Sequence, residues 1–578
     1  MTTDVAAPSS TNAPLRRERY DAIIVGAGIT GLYQLHRLRQ LNLSVRLLEA
    51  GDGVGGTWYW NRYPGARFDS ESYTYGYMFS KELQEEWSWS EAFAGQPEVE
   101  RYLNFVADRL QLRGDIELGT RVAAAHFDED SNSWSVETEH GRTLTATYFI
   151  TAVGILSAPF TPPIPEIESF DGECFHTGLW PDKHVDFVGK RVAVVGTGSS
   201  GVQIVPTIAE EAASLTVFQR TPNWCTPLSN HPISPEQARV IRKHYREIHR
   251  ICMATPTGFK HTMRPESALS VPPEVREAYF EQIYGEPGMT MIFKNFCDIS
   301  TDQSANDLVT DFLARKIKQR VHDPRVADML IPKDHGYGFK RPPQENGYYE
   351  AFNRDNVELV SLFDEPIERF VPEGIQTATR TIALDMIILA TGFDAVTGTI
   401  LRMDIRGTGG RRLKDQWADG PHTYLGIFAE RFPNLFIIGG PQSSLGNNPR
   451  LTEVQVDWVA HCLSLMKARG DNRIEATSEA VDEWFEHVEE GASKVLNKDA
   501  KAWAYGSNIP GKKRAFLLYA NGLPTYASFL SEVEKDGYRG LSLSWHPGKE
   551  TLDDDASLPA SISRSGGPNI VTAAHGAA

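Results

Sequence analysis

A glycine-rich hexapeptide that follows a β-rich run and precedes a helical pattern occurs twice in this chain. The first copy is Gly26-Ala-Gly28-Ile-Thr-Gly31, and the second is Gly196-Thr197-Gly198-Ser199-Ser200-Gly201. In this arrangement the backbone N–H groups at a helix N-terminus can hold a pyrophosphate. One such hexapeptide is a weak signal. Two in the same context predict an α/β chain with two Rossmann-like dinucleotide-binding domains.

The residues that end the next strand predict a different nucleotide for each copy. Glu49 stands 18 residues after Gly31, where a carboxylate binds ribose hydroxyls and suits an adenosine without a 2′-phosphate. Gln219 stands at the same spacing in the second copy and precedes Arg220 and Thr221. A neutral residue does not repel a 2′-phosphate, and Arg220 can pair with it bidentately. The first site therefore suits FAD and the second NADPH, although either charged residue could instead be a solvated surface group.

Three aromatic and glycine-rich runs fit neither helix nor strand. The run at 55–69 holds Asp69 as its only acid, and a buried acid needs a partner. Its glycines allow close backbone approach and its aromatics can line an isoalloxazine or nicotinamide ring, unless they form a small core under a long loop. The second run, 336–349, contains Lys340-Arg341, and the third is 502–512. These runs predict shaped loops near the cofactors.

The charge balance and the cysteines exclude several other classes of protein. A net charge of −17 argues against a nucleic-acid partner or an anionic membrane surface, and no apolar run approaches the ~20 residues of a membrane helix. Residues 1–17 show no signal peptide. No two of the five cysteines have C-x-x-C or metal-ligand spacing, so we expect free thiols in a cytoplasmic protein without a metal site. The cysteines are Cys174, Cys225, Cys252, Cys297 and Cys462.

The order of these patterns predicts seven segments. They are a disordered N-terminus (1–17), an FAD-binding part (18–155), an NADP-binding part (156–222), a helical insertion (223–331), a second NADP-binding part (332–394), a second FAD-binding part (395–550) and a disordered tail (551–578). Within them we expect helical residues at 80–118 and 451–499. We also expect strands at 148–153, 385–394 and 435–441, of which 385–394 is the counterpart of 149–154 and forms a crossover between domains.

One further motif resembles a known family. The pattern Phe170-x-Gly172-x-x-x-His176-Thr177-x-x-Trp180-Pro181 matches every fixed position of the type I Baeyer–Villiger monooxygenase fingerprint. The related N-oxygenating flavin monooxygenases differ at the Thr and Trp-Pro positions. The run at 55–69 also resembles the family's loop, with Phe68 where many members carry Cys. The resemblance covers roughly residues 19–540.

The resemblance implies a role for particular residues. The FAD contacts would be Gly26, Gly28, Gly31, Glu49, Thr57, Trp58, Asp69, Tyr75 and Val122, with Arg67 as a further cofactor contact. The NADP contacts would be Thr197, Gly198, Ser199, Ser200, Gly201, Gln203, Arg220, Thr221, Lys340 and Trp503. Arg341 would be the catalytic arginine with Asp69 beside it, and His176 would belong to a linker tied to domain motion. The segment 440–450 departs from the relatives and is expected to line the substrate.

The resemblance also implies the reaction. NADPH would reduce FAD, and the reduced flavin would take O2 to a C4a-peroxide whose anion attacks a ketone. The resulting tetrahedral (Criegee) adduct would then give an ester or lactone. The partners would be a cyclic or linear ketone and O2, for a monomer or weak homo-oligomer. N- or S-oxygenation by the same peroxide is the main alternative, and a non-catalytic flavoprotein is a second. The missing C-x-x-C argues against a thiol-disulfide reductase.

Overall fold

The computed structural model describes residues 18–443, 446–496 and 501–548 of the chain. The predicted terminal segments 1–17 and 551–578 lie outside the described residues. Two sheets with parallel strands, each accompanied by helices, form an α/β architecture with an additional helical region. The predicted fold class is therefore confirmed. None of the helices in the described ranges is long and apolar enough to cross a membrane.

The first sheet is organised around the strand that leads into the first glycine motif. Its N-terminal strands are β1 (Glu18–Val25), β2 (Val45–Leu48), β3 (Ile116–Glu117), β4 (Val122–Asp128), β5 (Ser133–Thr138) and β6 (Thr143–Thr151). β1 lies between β2 and β6 and is parallel to both, whereas β4, β5 and β6 form an antiparallel meander. Helix α1 (Ile29–Gln40) follows β1 and buries Leu32, Leu35 and Leu38 completely. The spacing of these leucines places them on one helical face towards the core.

The segment between β2 and β3 contains the aromatic and glycine-rich run 55–69, which we call the aromatic loop, and four helices. They are α2 (Thr57–Trp60), α3 (Ser72–Tyr75), α4 (Lys81–Glu86) and α5 (Gln96–Arg109). The expectation of helix throughout 80–118 is wrong in part, because an irregular segment separates α4 from α5 and β3 lies at the end of the range. Ser80 fixes the start of α4, because its side chain accepts a hydrogen bond from Leu83 N and caps the helix.

The chain then enters the second unit through β7 (Glu173–His176), β8 (Arg191–Val195), α6 (Ser199–Glu211) and β9 (Ser214–Gln219). The helical region follows. It comprises β10 (Thr226–Pro227), α7 (Pro235–Ala254), α8 (Pro273–Gly285), α9 (Thr290–Phe293), α10 (Gln303–Arg320) and α11 (Pro324–Met329). Ser234 and Gln237 form a capping box at the start of α7, and Asp323 caps α11. These local signals agree with the observed helix starts because capping depends on a few adjacent residues.

The second sheet is completed after the helical region. The elements are β11 (Gln344–Glu345), α12 (Tyr348–Ala351), β12 (Val357–Ser361), β13 (Ile367–Val371), β14 (Gly374–Thr377), β15 (Thr381–Ala383) and β16 (Met386–Leu389). The sheet order is β12-β9-β8-β16-β7, and every neighbouring pair is parallel. β13, β14 and β15 form a separate antiparallel sheet. β16 is thus a central strand of the second unit, as β6 is in the first.

The chain finally returns to the first unit. The elements are β17 (Asp404–Arg406), α13 (Leu413–Gln416), β18 (Leu435–Ile437), α14 (Asn448–Arg469), β19 (Arg473–Ala476), α15 (Ser478–Ser493), α16 (Leu523–Lys535) and β20 (Leu541–Ser544). β17 pairs with β4 and β18 with β6, so both join the first sheet. The expectation of helix throughout 451–499 is wrong, because β19 separates α14 from α15. β19 forms through antiparallel pairing with β20, which lies much later in the chain.

Two chain segments connect the units, and they pair with each other. One follows β6 and the other follows β16. Phe160 N donates to Gly392 O, Asp394 N to Ala158 O and Val396 N to Ile155 O, each at 2.9 Å. We call residues 155–160 and 392–396 the paired linkers. Their hydrogen bonds run in antiparallel order, so the two connections form one narrow ribbon between the sheets.

Candidate functional site

The first glycine motif forms a tight turn between β1 and α1. Gly26 has φ 103°, and a Cβ there would lie 2.6 Å from Ala152 O. A Cβ at Gly31 would lie 1.8 Å from Gly26 O. Both positions therefore require glycine, which lets the backbone pass this close. Gly28 is the N-cap of α1, so the helix N-terminus faces this turn. We call each glycine turn with the helix N-terminus behind it a cradle.

The second glycine motif repeats this geometry. Gly196 has φ 113°, and a Cβ there would lie 2.5 Å from Ala390 O. A Cβ at Gly201 would lie 2.1 Å from Gly196 O, and Gly198 is the N-cap of α6. Nothing lies within 4 Å of a Cβ built on Gly198, so the N-terminus of α6 faces open space. Ser199 and Ser200 begin the helix. Both cradles fit a pyrophosphate held by backbone N–H groups.

Glu49 lies directly after β2 and joins the first cradle. One carboxylate oxygen accepts from Ala27 N at 2.6 Å and the other from Gly51 N at 2.8 Å. Burial raises the pKa of Glu49, and these two N–H groups partly oppose that shift. The Trp60 side chain is a third hydrogen-bond donor to this carboxylate, which has about four acceptor sites in all and so keeps capacity for a ribose hydroxyl. The arrangement fits the adenosine half of FAD.

The corresponding position in the second unit has a different polarity. The Gln219 side chain is buried and donates from Nε2 to Met329 O at 2.8 Å. Arg220 follows it and is exposed. Thr197 Oγ1 donates to Thr221 O at 3.2 Å, which ties this strand end to the glycine turn. An exposed cation beside a neutral, anchored amide fits a nucleotide with a 2′-phosphate.

The aromatic loop packs largely on itself. Trp58 Nε1 donates to Tyr75 OH at 2.9 Å, and the Phe68 ring stacks on Tyr75 with centroids 4.6 Å apart. Trp58 contacts Phe68 edge-on at 5.5 Å, and burial raises the pKa of Tyr75 to about 12. These three side chains pack on one another, and the FAD contacts of Trp58 and Tyr75 stay predictions. Thr57 opens α2, and Val122 is buried at the start of β4.

Asp69 and Arg341 meet across the two units. Arg341 Nη2 lies 3.1 Å from Asp69 Oδ2, and the exposed fractions of the side chains are 45% for Arg341 and 3% for Asp69. Burial raises the pKa of Asp69, and the Arg341 guanidinium partly offsets this rise. The pair thus presents a guanidinium that is accessible on one side and held by a buried carboxylate on the other.

The Gln203 side chain, on α6 of the second unit, forms hydrogen bonds with two residues of the first unit. Its Oε1 accepts from Tyr63 OH at 2.7 Å, and its Nε2 donates to Arg67 O at 2.9 Å. Gly65 packs against it so closely that a Cβ there would lie 2.4 Å from Gln203 O. The Arg67 guanidinium pairs with Glu91 at 3.3 Å. Gln203 therefore fastens the aromatic loop to α6 in addition to any contact with a nucleotide.

His176 lies beside the paired linkers. Its Nδ1 accepts from Gly178 N at 2.9 Å, and its Nε2 lies 3.3 Å from both Phe160 O and Thr391 Oγ1. The other residues of the motif are structural in this geometry. A Cβ at Gly172 would lie 2.4 Å from the Phe170 ring, and Thr177 and Trp180 are buried, with Pro181 following the latter.

The C-terminal aromatic loop also reaches the paired linkers. Trp503 begins a short helical turn and packs against the first core. Asn508 Nδ2 donates to Phe393 O at 2.8 Å, and Lys512 pairs with Asp394. In the segment 440–450, the Asn447 amide donates to Thr74 O at 2.9 Å and to Gly258 O at 3.1 Å. Residues 444 and 445 of that segment lie outside the described residues.

Lys340 belongs to a polar group that the sequence patterns did not single out. Its Nζ lies 3.3 Å from Asp334 Oδ2, and His335 Nδ1 lies 2.6 Å from Asp334 Oδ1. The sequence patterns did not identify four residues that contact predicted site residues or their neighbours, namely Tyr63, Asn223, Asp334 and His335. Asp334-His335 lies close to Lys340-Arg341 in the chain, and this proximity is the one sequence signal for the group. Within the described ranges, no group of three or more His, Cys, Asp or Glu residues could hold a metal ion.

Three comparisons with known proteins indicate the same fold and related enzymes. A family model described as pyridine nucleotide-disulphide oxidoreductase matches residues 23–272. The chain is 44% identical over 535 residues to the 2-oxo-Δ3-4,5,5-trimethylcyclopentenylacetyl-CoA monooxygenase of Pseudomonas putida, covering 91% of this chain and 98% of the relative. It is 42% identical over 525 residues to a Baeyer–Villiger monooxygenase of Pseudooceanicola batsensis, covering 90% and 96%. A crystal structure of OTEMO in complex with FAD and NADP superimposes with a TM-score of 0.88 at 44% identity, covering 91% of this chain and 99% of that one.

Proposed function

This chain belongs to the Baeyer–Villiger monooxygenases, and we propose that Arg341, held by Asp69, stabilises the negative charge that develops on oxygen in its reaction. The enzyme inserts one oxygen atom from O2 next to a ketone carbonyl to give an ester or lactone, with FAD as cofactor and NADPH as reductant. When bound and reduced, FAD supplies the activation of O2.

The observation that carries the proposed role is the Arg341–Asp69 ion pair between the two units. A guanidinium stays protonated at any working pH, so it can stabilise an oxyanion without transferring a proton to it. Arg341 has five N–H donors, and the Asp69 contact involves one of its terminal nitrogens. Donors remain for an anion on the accessible side.

Asp69 has a positioning role in this proposal. Its buried carboxylate orients the guanidinium, and the guanidinium offsets the cost of burying that carboxylate. The two residues come from the aromatic loop of the first unit and from the segment before β11 in the second. The charged group is therefore assembled only when the two units lie together, where the flavin and nicotinamide must also meet.

The nucleotide contacts of each unit are part of the same proposal. The first unit would hold FAD through Gly26, Gly28, Gly31, Glu49, Thr57, Trp58, Arg67, Asp69, Tyr75 and Val122. The second would hold NADPH through Thr197–Gly201, Gln203, Arg220, Thr221, Lys340 and Trp503. In the proposed domain division at 155, 222, 331 and 394, the boundaries at 155 and 394 are supported by the return of β17 and β18 to the first sheet. We propose a ketone of unspecified size, a monomer or weak homo-oligomer, and a cytoplasmic location suited to five unpaired cysteines.

The Arg341→Ala variant tests the catalytic role. We expect it to bind FAD and to be reduced by NADPH, but to form ester about 10²–10³-fold more slowly, which is the usual effect of losing one preorganised oxyanion donor. Oxygen that it consumes should leave as hydrogen peroxide. Product mass, flavin absorbance and peroxide are measured on the same preparation with a cyclic ketone.

Arg354→Ala is the matched control, since Arg354 is exposed and lies on the same segment. Near-normal ester formation by a flavin-loaded Arg341→Ala protein would refute the role of Arg341. A preparation that lacks flavin would instead indicate that Arg341 only braces the loop. An amine or thioether offered beside the ketone measures N- or S-oxygenation, which the preferred reaction predicts to be minor.

A further inference from the structure

A chain of polar contacts connects the Lys340 side chain to the main chain of Arg341. Lys340 Nζ contacts Asp334 Oδ2 at 3.3 Å, and His335 Nδ1 contacts Asp334 Oδ1 at 2.6 Å. On its other side, His335 Nε2 lies 3.3 Å from Asn223 Oδ1. Asn223 Nδ2 donates to Arg341 O at 2.9 Å. The path therefore leaves the Lys340-Arg341 dipeptide through one side chain and returns to it through one carbonyl.

The donors and acceptors in this path match only when His335 is protonated. Asp334 accepts the Nδ1–H of His335, so a neutral imidazole presents Nε2 as an acceptor. If Asn223 donates to Arg341 O, its Oδ1 then faces another acceptor. If the amide is reversed, its oxygen faces the Arg341 carbonyl instead. A doubly protonated imidazole donates from both nitrogens and satisfies every contact.

The surroundings of His335 act on its pKa in opposite directions, with a net lowering. Its side chain is 2% exposed, and burial lowers its pKa. Asp334 raises the pKa through a hydrogen bond and its charge, whereas the ammonium of Lys340 lowers it. These are the charged groups that act on His335 within the described part of the chain. The Trp224 indole, which donates to His335 O at 3.0 Å, fixes the backbone and adds no charge.

We propose that the Asp334–His335–Asn223 chain is a positioning network in which His335 takes up a proton when a 2′-phosphorylated nucleotide engages Lys340, and thereby fixes the main chain of Arg341. The inference rests on the proposed NADP contact of Lys340. A phosphate dianion beside Lys340 cancels the positive charge that opposes protonation of His335. Asn223 also lies three residues after Arg220 and two after Thr221, so the network begins at the strand end that would discriminate between nucleotides.

Calorimetric proton counting on the FAD-loaded protein tests this coupling. NADP+ is titrated at several pH values between 6 and 9 in pairs of buffers with different ionisation enthalpies, and NAD+ is the matched ligand without the 2′-phosphate. We expect wild type to take up more protons with NADP+ than His335→Gln does, by up to about one proton per site. The same two proteins should show equal proton uptake with NAD+. Because binding takes up a proton, the excess affinity of wild type for NADP+ should grow as the pH falls.

Asn223→Ala is the second variant, since it keeps His335 but removes the amide oxygen that accepts a hydrogen bond from Nε2 of protonated His335. It should also lower the proton uptake with NADP+, so the proposal stays testable if His335→Gln loses flavin. Identical uptake with NADP+ in wild type and both variants would overturn the network. Failure of the underlying contact has a different signature, because Lys340→Ala would then bind NADP+ as tightly as wild type. Ester formation by wild type is assayed separately and reports only on the proposed reaction.

Discussion

The two nucleotide cradles have almost the same backbone but different side chains where the ribose would lie. Gly26 and Gly196 have φ values of 103° and 113°, and both turns press against the alanine that follows a central strand, Ala152 or Ala390. Glu49 in the first cradle is fixed by two backbone N–H groups, whereas Arg220 in the second is exposed. We therefore expect the glycine turn to bind the pyrophosphate and the residues at the end of the second strand to select the nucleotide.

Placing an alanine in each glycine turn should have the largest effect. In Gly31→Ala the new Cβ would lie 1.8 Å from Gly26 O, and in Gly201→Ala it would lie 2.1 Å from Gly196 O. Wild type should purify yellow with one FAD per chain. We expect Gly31→Ala to retain no flavin, and Gly201→Ala to retain it but to be reduced by NADPH at least about 100-fold more slowly, since such overlaps cost about 3 kcal/mol.

Flavin absorbance and stopped-flow reduction separate the two variants. Gly285→Ala is the control, because a Cβ there meets nothing within 4 Å. Loss of flavin from both variants to the same degree would contradict the assignment of one nucleotide to each unit.

Removal of the exposed Arg220 side chain should weaken nucleotide binding at the second cradle and leave the first cradle unaffected. A charge-assisted bidentate contact contributes about 1.5–3 kcal/mol, or roughly 10–150-fold. Arg220→Ala should therefore raise the KM for NADPH by that factor and change the KM for NADH little. Steady-state kinetics with both nucleotides gives the result. Equal losses for NADPH and NADH would remove Arg220 from 2′-phosphate recognition.

Reciprocal changes of charge sharpen the same comparison. Glu49→Gln should weaken FAD binding about 10-fold, because one carboxylate oxygen that accepts a backbone N–H becomes an amide donor. Gln219→Glu should weaken NADPH binding by a similar factor through repulsion of the 2′-phosphate, and leave FAD in place. Flavin release and NADP+ affinity are measured on both variants. The comparison fails if the two substitutions have the same pattern of effects.

The smallest effect concerns the end of the second sheet remote from its nucleotide. Hydrogen bonds from the Arg191 guanidinium and N–H lower the pKa of Asp385 to about 2. Asp385→Asn should lower Tm by about 1–2 °C at pH 7, a small value because solvent screens this exposed pair. A lowered pKa stabilises the fold above the unfolded value near 4, so the difference from wild type should vanish as the pH falls towards 2. A difference that persists at low pH would indicate a packing effect.

The sequence was informative wherever a feature depends on a few adjacent residues. The glycine turns and the change from Glu49 to Gln219 are of this kind. The contact of Arg341 with Asp69 spans more than 270 residues and was expected only from the resemblance to a family. β19 could not be predicted, because its partner β20 lies about 70 residues later. The hydrogen bonds of Gln203 with Tyr63 and Arg67 could not be predicted either, because they depend on how the two units pack together.

The paired linkers also have a consequence for the modular history of this chain. Val396 N donates to Ile155 O at 2.9 Å, so the points where the chain leaves and re-enters the first unit are hydrogen-bonded neighbours. Adjacent ends are the geometry that lets one domain be inserted into another. Residues 156–395 could thus be replaced by a tight turn without stretching the first sheet, although the helical region would take its contacts at Ser90 and Ala92 with it. An ancestral flavoprotein could have acquired its second nucleotide in a single insertion event, with no rearrangement of its own strands.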